Sequence, residues 1–408
     1  MRLPFSQRSR AASKAARAGA GTTGVQRIVV SAAGIGALAV LLGLAIFTQP
    51  LFEQLRNIVF DSYQRLAPRT EAGAPVAVVD IDEASIAAIG QWPWPRTTIA
   101  QLVDRLTAMG AATIAFDIAF PEPDRTSPSN LVAELGRQGV TLSLPPSIAL
   151  DNDAVLAKSF AASPVVAGFA VSNETNSPLP TPKAGFSFGG ADPKTYLAAY
   201  SGGVADLPAL NDAASGIGFF SFPISGDGVV RELPVVAFAQ GNLYPALSVE
   251  ALRVAQGAGS FIVRSTGASG EADTGQAAMV AFKVGALLMP TGPSAQFRIY
   301  YSNLPDMPTV AARDVLDPAA ADKVGPAIAG RIVLIGTSAV GLRDLVATPF
   351  GSATPGVRVH AEIIDQVIGQ TFLGRPDWAL GAELLTAAVL GLLLLVLEVA
   401  GGAVAGTV

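Results

Sequence analysis

Two apolar stretches near the ends of this 408-residue chain constrain everything between them. Ile28 to Thr48 contains no charged residue, and Trp378 to Leu397 contains only Glu383. Each has roughly the twenty residues that a helix needs to cross the hydrocarbon core of a bilayer. The reading is therefore two transmembrane helices, over 28–48 and 378–397, enclosing a folded domain over 49–377. Residues 1–27 form a basic tail, and 398–408 begin a further membrane segment or a cytoplasmic stub.

Charge sets the orientation. Arg2, Arg8, Arg10, Lys14, Arg17 and Arg27 precede the first stretch, and no acid appears before Glu53. Basic flanks stay cytoplasmic, so the N-terminus is expected inside and the central domain outside. A cleaved signal peptide is the rival reading, but its apolar region normally runs only about 7–15 residues. The tail also resembles a nucleic-acid arm, yet the net charge of −5 gives the chain no overall basic character. No nucleic-acid partner is expected; the bilayer is.

The chain has no cysteine, which removes disulfides, thiolate metal sites and a cysteine nucleophile. With one histidine, His360, a histidine-rich zinc site is impossible and a Ser-His-Asp triad would depend on that residue. No cofactor is expected. His360 lies in an amphipathic segment, where a structural role is the simpler reading.

Val76 to Ile81 is an apolar, β-branched run of the kind buried on both faces of a parallel sheet. Ile99, Leu102, Val103, Leu106 and Met109 then fall on one helical face, with Thr97 or Thr98 as cap and Gly110 as the left-handed stop. Thr113 to Ile118 is a second buried strand, which makes the three a parallel crossover unit. A helix over 153–160 and a strand over 165–171 continue the pattern. The Pro-, Gly- and Ser-rich stretch 172–214 reads as surface loop. Alternating residues over 216–302 predict antiparallel strands with a helix near 247–254, and 331–336 and 357–368 predict a last buried strand and helix. The fold class is α/β: a largely parallel sheet with flanking helices and an antiparallel insertion, besides the two membrane helices.

Ligands of open parallel sheets bind beyond the carboxyl ends of the strands. Here those exits carry Asp80, Asp82 and Glu83, then Asp117, Glu122 and Asp124, and finally Thr337 and Ser338, followed by Asp344. Trp92 and Trp94, held between prolines, offer a wall, and Arg96 at the next helix can pair with one of the acids. The candidate ligand-binding set is thus Asp82, Glu83, Trp92, Trp94, Arg96, Asp117, Glu122, Asp124, Thr337, Ser338 and Asp344. Each has a plainer reading: acids at strand ends cap helices, and a Trp-Pro-Trp-Pro segment can be a packed corner or a protein interface. The spacing leaves open whether the cluster holds a ligand or a metal or is structural.

The segments Val76-Ala-Val-Val-Asp-Ile-Asp-Glu-Ala-Ser85, Gly90-Gln-Trp-Pro-Trp-Pro-Arg96 and Phe116-Asp-Ile-Ala-Phe-Pro-Glu-Pro-Asp124 resemble the type-two CHASE domain. Downstream, Asp227-Gly-Val-Val-Arg231 with Leu233-Pro234, Gly330 to Ser338, Asp344, Thr348-Pro349 and Pro355 to Ala361 are similar in the same order. The resemblance covers roughly residues 55–375 and implies the periplasmic or extracellular input domain of a multi-pass receptor in a bacterial plasma membrane. It also implies a cytoplasmic output, most often a class III adenylate or guanylate cyclase and otherwise a kinase, which this chain does not contain. The ligand expected is an extracytoplasmic small molecule or peptide, and the expected assembly is a homodimer. A competing reading is a membrane-anchored phosphohydrolase of the haloacid-dehalogenase type, because Val78-Val79-Asp80-Ile81-Asp82 resembles its Asp-x-Asp strand end. The later paired aspartates of that family have no convincing counterpart here.

Overall fold

The computed structural model describes residues 32, 34–36, 43, 49–70, 73–141, 143–145, 148–174, 177–223, 226–268, 277–302, 307–342, 345–374 and 378–405. The basic tail, most of the first apolar stretch and Asp344 lie outside them. The chain forms two compact units: Asp61–Leu373, and a second made of Met1–Phe60 with Gly374–Val408.

Helix α1 (Gln49–Leu66) ends within the larger unit, where strand β1 (Val76–Ile81) opens the main sheet. Two helices follow, α2 (Glu83–Ile89) and α3 (Arg96–Ala108), and then β2 (Thr113–Phe116). The apolar periodicity of α3 is as the sequence suggests, and Gly110 takes φ +84° beyond its end. The start differs. Pro95 precedes the first turn and has no capping side chain of its own, and Thr97 and Thr98 lie inside the helix. Proline's fixed φ suits that position without a hydroxyl.

After α4 (Pro128–Arg137) and α5 (Asn152–Ala161) comes β3 (Val165–Ser172). The stretch read as loop contains more order than its composition indicates: strands Gly185–Gly189, Ala199–Tyr200 and β4 (Gly202–Val204), and helix α6 (Pro208–Ala213). These strands are short and pair with distant partners, so no local alternation marks them. Strand β5 (Gly216–Phe219), helix α7 (Leu247–Ala255), β6 (Thr309–Ala311), α8 (Ala312–Leu316), β7 (Ile332–Thr337) and α9 (Gly356–Ile368) complete the main layers.

The seven-stranded main sheet runs β6-β1-β7-β2-β3, and β3 pairs with both β4 and β5. Every pairing is parallel except β3 with β4. The last long strand is thus inserted between the first two, pairing Val76 with Ile332 on one side and Ile332 with Thr113 on the other. Alternate residues feed two cores. Ala77, Val79, Ile81, Val333 and Ile335 pack with α3 and α5, while Val76, Val78, Ile332 and Leu334 pack with α7, α9 and the smaller sheets. Burial on both faces explains why these strands read as continuous apolar runs. The insertion is antiparallel in Ser260–Ser265, Met279–Val284 and Leu287–Pro290, but Gly185–Gly189 joins its edge in parallel.

Helix α10 (Ala379–Ala405) covers the second apolar stretch. Among the described residues no helix is long and apolar enough to cross a membrane.

Gly336 shows how tightly the layers meet. A Cβ there would lie 2.4 Å from Cβ of Val357 in α9. The glycine therefore lets a helix approach the strand. Gly336→Ala should lower stability in urea unfolding by about 1–3 kcal/mol, the usual range for overpacking. Gly325→Ala, where nothing lies within 4 Å, should not. Equal midpoints for the two variants would refute this packing account.

Candidate functional site

Parallel pairing of β1, β7 and β2 brings their carboxyl ends to one edge, as the crossover pattern predicts. Ile81 stands beside Thr337, and the Asp117 N–H donates to the Ile335 carbonyl at 2.8 Å. At this edge Ser338 Oγ donates to Asp80 Oδ2 at 2.7 Å, and the Val340 N–H donates to Glu83 Oε1 at 2.8 Å. The first and last strand exits are therefore fastened together. Asp82 caps α2, its Oδ1 accepting from the Ser85 N–H at 2.7 Å. Asp117 and Thr337 are buried.

Burial raises the Asp80 carboxyl above its ordinary value, with Asp82 adding to the rise and Ser338 opposing it. One oxygen of Asp80 is thus already engaged by the Ser338 hydroxyl. Among the described residues no three acidic or histidine side chains are placed to hold a metal ion.

Arg96 belongs to a second cluster. Its Nε lies 3.4 Å from Asp153 Oδ1, its Nη2 donates to the Glu122 carbonyl at 3.1 Å, and its guanidinium covers the Phe120 ring at 4.4 Å. Asp124 organises the surroundings. It accepts from the Arg96 N–H at 2.7 Å, from the N–H and hydroxyl of Thr126 at 2.8 Å each, and from Asn152 Nδ2 at 2.9 Å. Burial acts to raise the Asp124 pKa, but these donors outweigh it and hold the carboxyl below its ordinary value. Asp153 is raised, chiefly by burial, despite accepting from the Asp124 N–H at 2.9 Å and the nearby Arg96 charge. Asp206 accepts from the Phe120 N–H at 2.6 Å and is pushed by burial up to about 7, with that bond and Arg96 opposing.

The expected residues thus divide. Asp82, Glu83, Thr337 and Ser338 share the first-strand edge with Asp117 near by, while Arg96, Glu122 and Asp124 form a network with Asp153. Arg96 does pair with an acid, and that acid is Asp153. Trp94 is 1% exposed; its indole N–H donates to the Gly90 carbonyl at 2.9 Å, and Trp92 meets it edge-on at 5.4 Å between centroids. Trp94 fills the core beneath α3, and Trp92 is the half-buried member of the pair. Sequence reasoning overlooked Asp153, Asp206 and Asn152. The run Asp206-Leu207-Pro208, an acid just before a proline-started helix, was the available sign for Asp206.

The family model described as CHASE2 domain matches residues 37–397. The chain therefore belongs to the CHASE2 family, whose members are extracellular sensory domains of signalling receptors. No curated protein and no solved structure matches it.

His360 is fully buried in α9. Its Nε2 lies 3.2 Å from the Phe220 carbonyl, and its ring packs on Phe222 at 4.7 Å. Burial lowers its pKa to about 4, opposed by the Phe220 contact. The unfolded chain takes up this proton near pH 6.5 and the folded one only near 4, so the histidine's contribution is lost as pH falls through that window. Asp206 works oppositely, its raised pKa removing stability as pH rises from about 4 to 7. Between pH 7 and 5 the wild type should therefore lose about 2 kcal/mol relative to His360→Gln. Parallel pH dependences of the two proteins in denaturant unfolding would refute a buried neutral histidine.

Proposed function

We propose that this chain is the sensing part of a transmembrane receptor, with residues 49–377 outside the membrane and a nucleotide cyclase as the cytoplasmic output it regulates. The observation that carries this reading is the extent of the family match, 37–397, which runs into both apolar stretches. Exposure in α10 supports it. Leu385, Val389, Leu390, Leu392, Leu393, Leu394, Val396 and Leu397 are each more than half exposed. A helix apolar around its circumference is suited to lipid rather than water. The full stretch Trp378 to Leu397, including side chains beyond the described ones, has the span's length and one charge.

In this reading 28–48 and 378–397 are anchors and the tail 1–27 is cytoplasmic. Stimulus binding at the strand-exit residues shifts the domain between two arrangements, and a homodimer gives the output a relative motion to register. Asp82, Glu83, Arg96, Asp117 and Ser338 are the residues assigned to that response. Coupling to a cyclase rather than a kinase rests on the family resemblance.

Orientation is the first test. The chain has no native cysteine, so single cysteines report without background. In intact cells, Ser187→Cys should react with a membrane-impermeant thiol reagent and Ser6→Cys only after lysis. Protection of Ser187→Cys together with labelling of Ser6→Cys would reverse the proposed topology.

A further inference from the structure

Beyond the strand-exit residues, the sensory domain contains a cavity of about 540 Å³ between the segment 177–181, β4 and α6, closed on one side by Pro121. That volume suits a small organic molecule. Pro121, Pro178, Pro180 and Pro208 line it, so much of its wall has fixed backbone torsions. Leu179, Val204 and Ile217 add apolar surface.

Two of its polar residues have unfinished hydrogen bonding. Asp206 and Asn211 both line the cavity and are 5% and 6% exposed. Asp206 Oδ1 accepts from Phe120, but its Oδ2 is buried with no hydrogen-bond partner among the described residues. Asn211 Nδ2 donates to the Asp206 carbonyl at 2.8 Å, which fixes the amide orientation and leaves Oδ1 as a second buried acceptor without a partner. Buried acceptors of this kind are normally satisfied, and only a donor can satisfy them.

Charge narrows the class of donor. Among the described residues the lining carries two carboxylates, Asp206 and Asp212, and no lysine, arginine or histidine. Lys183 lies outside the lining, its Nζ donating to the backbone carbonyl of the lining residue Asp212 at 2.9 Å, and Arg96 is held by Asp153 and the Glu122 carbonyl. We propose that this cavity is a binding site for a small organic ammonium, its cationic N–H group directed at Asp206 and Asn211 and its hydrocarbon part against the proline wall.

Such a ligand competes with a proton. Burial pushes Asp206 up to about 7, with the Phe120 N–H and Arg96 opposing. Below that pH the ammonium must displace a proton, so affinity rises with pH.

This assignment rests on the sensory reading only for its biological meaning, because binding is measured on the protein itself. Its failure would leave the membrane topology untouched, and a reversed topology would leave the binding result standing. The experiment is calorimetric titration of the full 408-residue chain in detergent micelles with n-butylamine, putrescine and ethanolamine, using n-butanol as the uncharged control. At least one ammonium should bind saturably and n-butanol should not, with affinity about tenfold higher at pH 8 than at pH 6. Asp206→Asn keeps the acceptor for Phe120 and should weaken binding at least tenfold. Val204→Trp, which fills the cavity from an exposed position, should abolish it should the first variant fail to fold. Absence of saturable binding by all three amines, equal binding of n-butanol, or unchanged affinity in the folded variants would overturn the proposal.

Discussion

A guanidinium removed from water must be surrounded by acceptors, and the side of the domain where α1 ends is arranged around one that is. Arg69 is 3% exposed. Its Nε donates to the Tyr300 carbonyl at 2.8 Å, its Nη1 pairs with Asp365, and its Nη2 lies 2.5 Å from Glu362 Oε2. The two acids have further duties. Glu362 accepts from the Ser302 hydroxyl at 2.6 Å, and Asp365 accepts from the Ala74 N–H at 2.9 Å. Burial raises Glu362 against the pull of Ser302 and Arg69, so its ionised form depends on these partners. One ion group thereby joins the segment after α1, the strand segment near 300 and helix α9. Separating a buried pair leaves an uncompensated charge, typically at about 3–5 kcal/mol.

The same segment is held at further points. Arg231 grips Asp61 through Nε at 2.8 Å and Nη2 at 2.7 Å, and also reaches Asp227. Gln64 donates to the Ile299 carbonyl at 3.1 Å and accepts from the Tyr301 N–H at 2.9 Å. The end of α1 therefore depends on residues 170 or more positions away in sequence. A sensory domain needs such a connection, because a rearrangement in its body is useful only where it moves the chain's entry point. The Asp227-Gly-Val-Val-Arg231 segment gains a structural meaning here, since both of its charged residues meet in one ion cluster with Asp61.

The parallel sheet was legible because each strand is buried on both faces, leaving an unmistakable apolar run in Val76–Ile81 and in Ile332–Thr337. The helix faces of α3 and α9 were legible for the same reason at a different period. The position of β7 between β1 and β2 was not, because strand order depends on which distant runs meet and no local pattern encodes that. The short strands over 185–204 were hidden by the Pro and Gly content that their turns require. At the candidate site, topology correctly predicted one common edge for the exits of β1, β7 and β2. Distribution of the acids was beyond sequence reasoning: Arg96 is drawn to Asp153 on α5, and Trp94 to the core, by tertiary packing.

If the buried Arg69 group couples the end of α1, the 299–302 segment and α9, loss of its charge must loosen all three together. Amide hydrogen exchange on the full chain, compared between wild type and Arg69→Met, tests this most directly. The account predicts faster exchange together in residues 61–70, 299–302 and 356–368, with the amides of β1, β2 and β7 unchanged. Faster exchange confined to the immediate neighbours of residue 69, with α9 as protected as before, would contradict it.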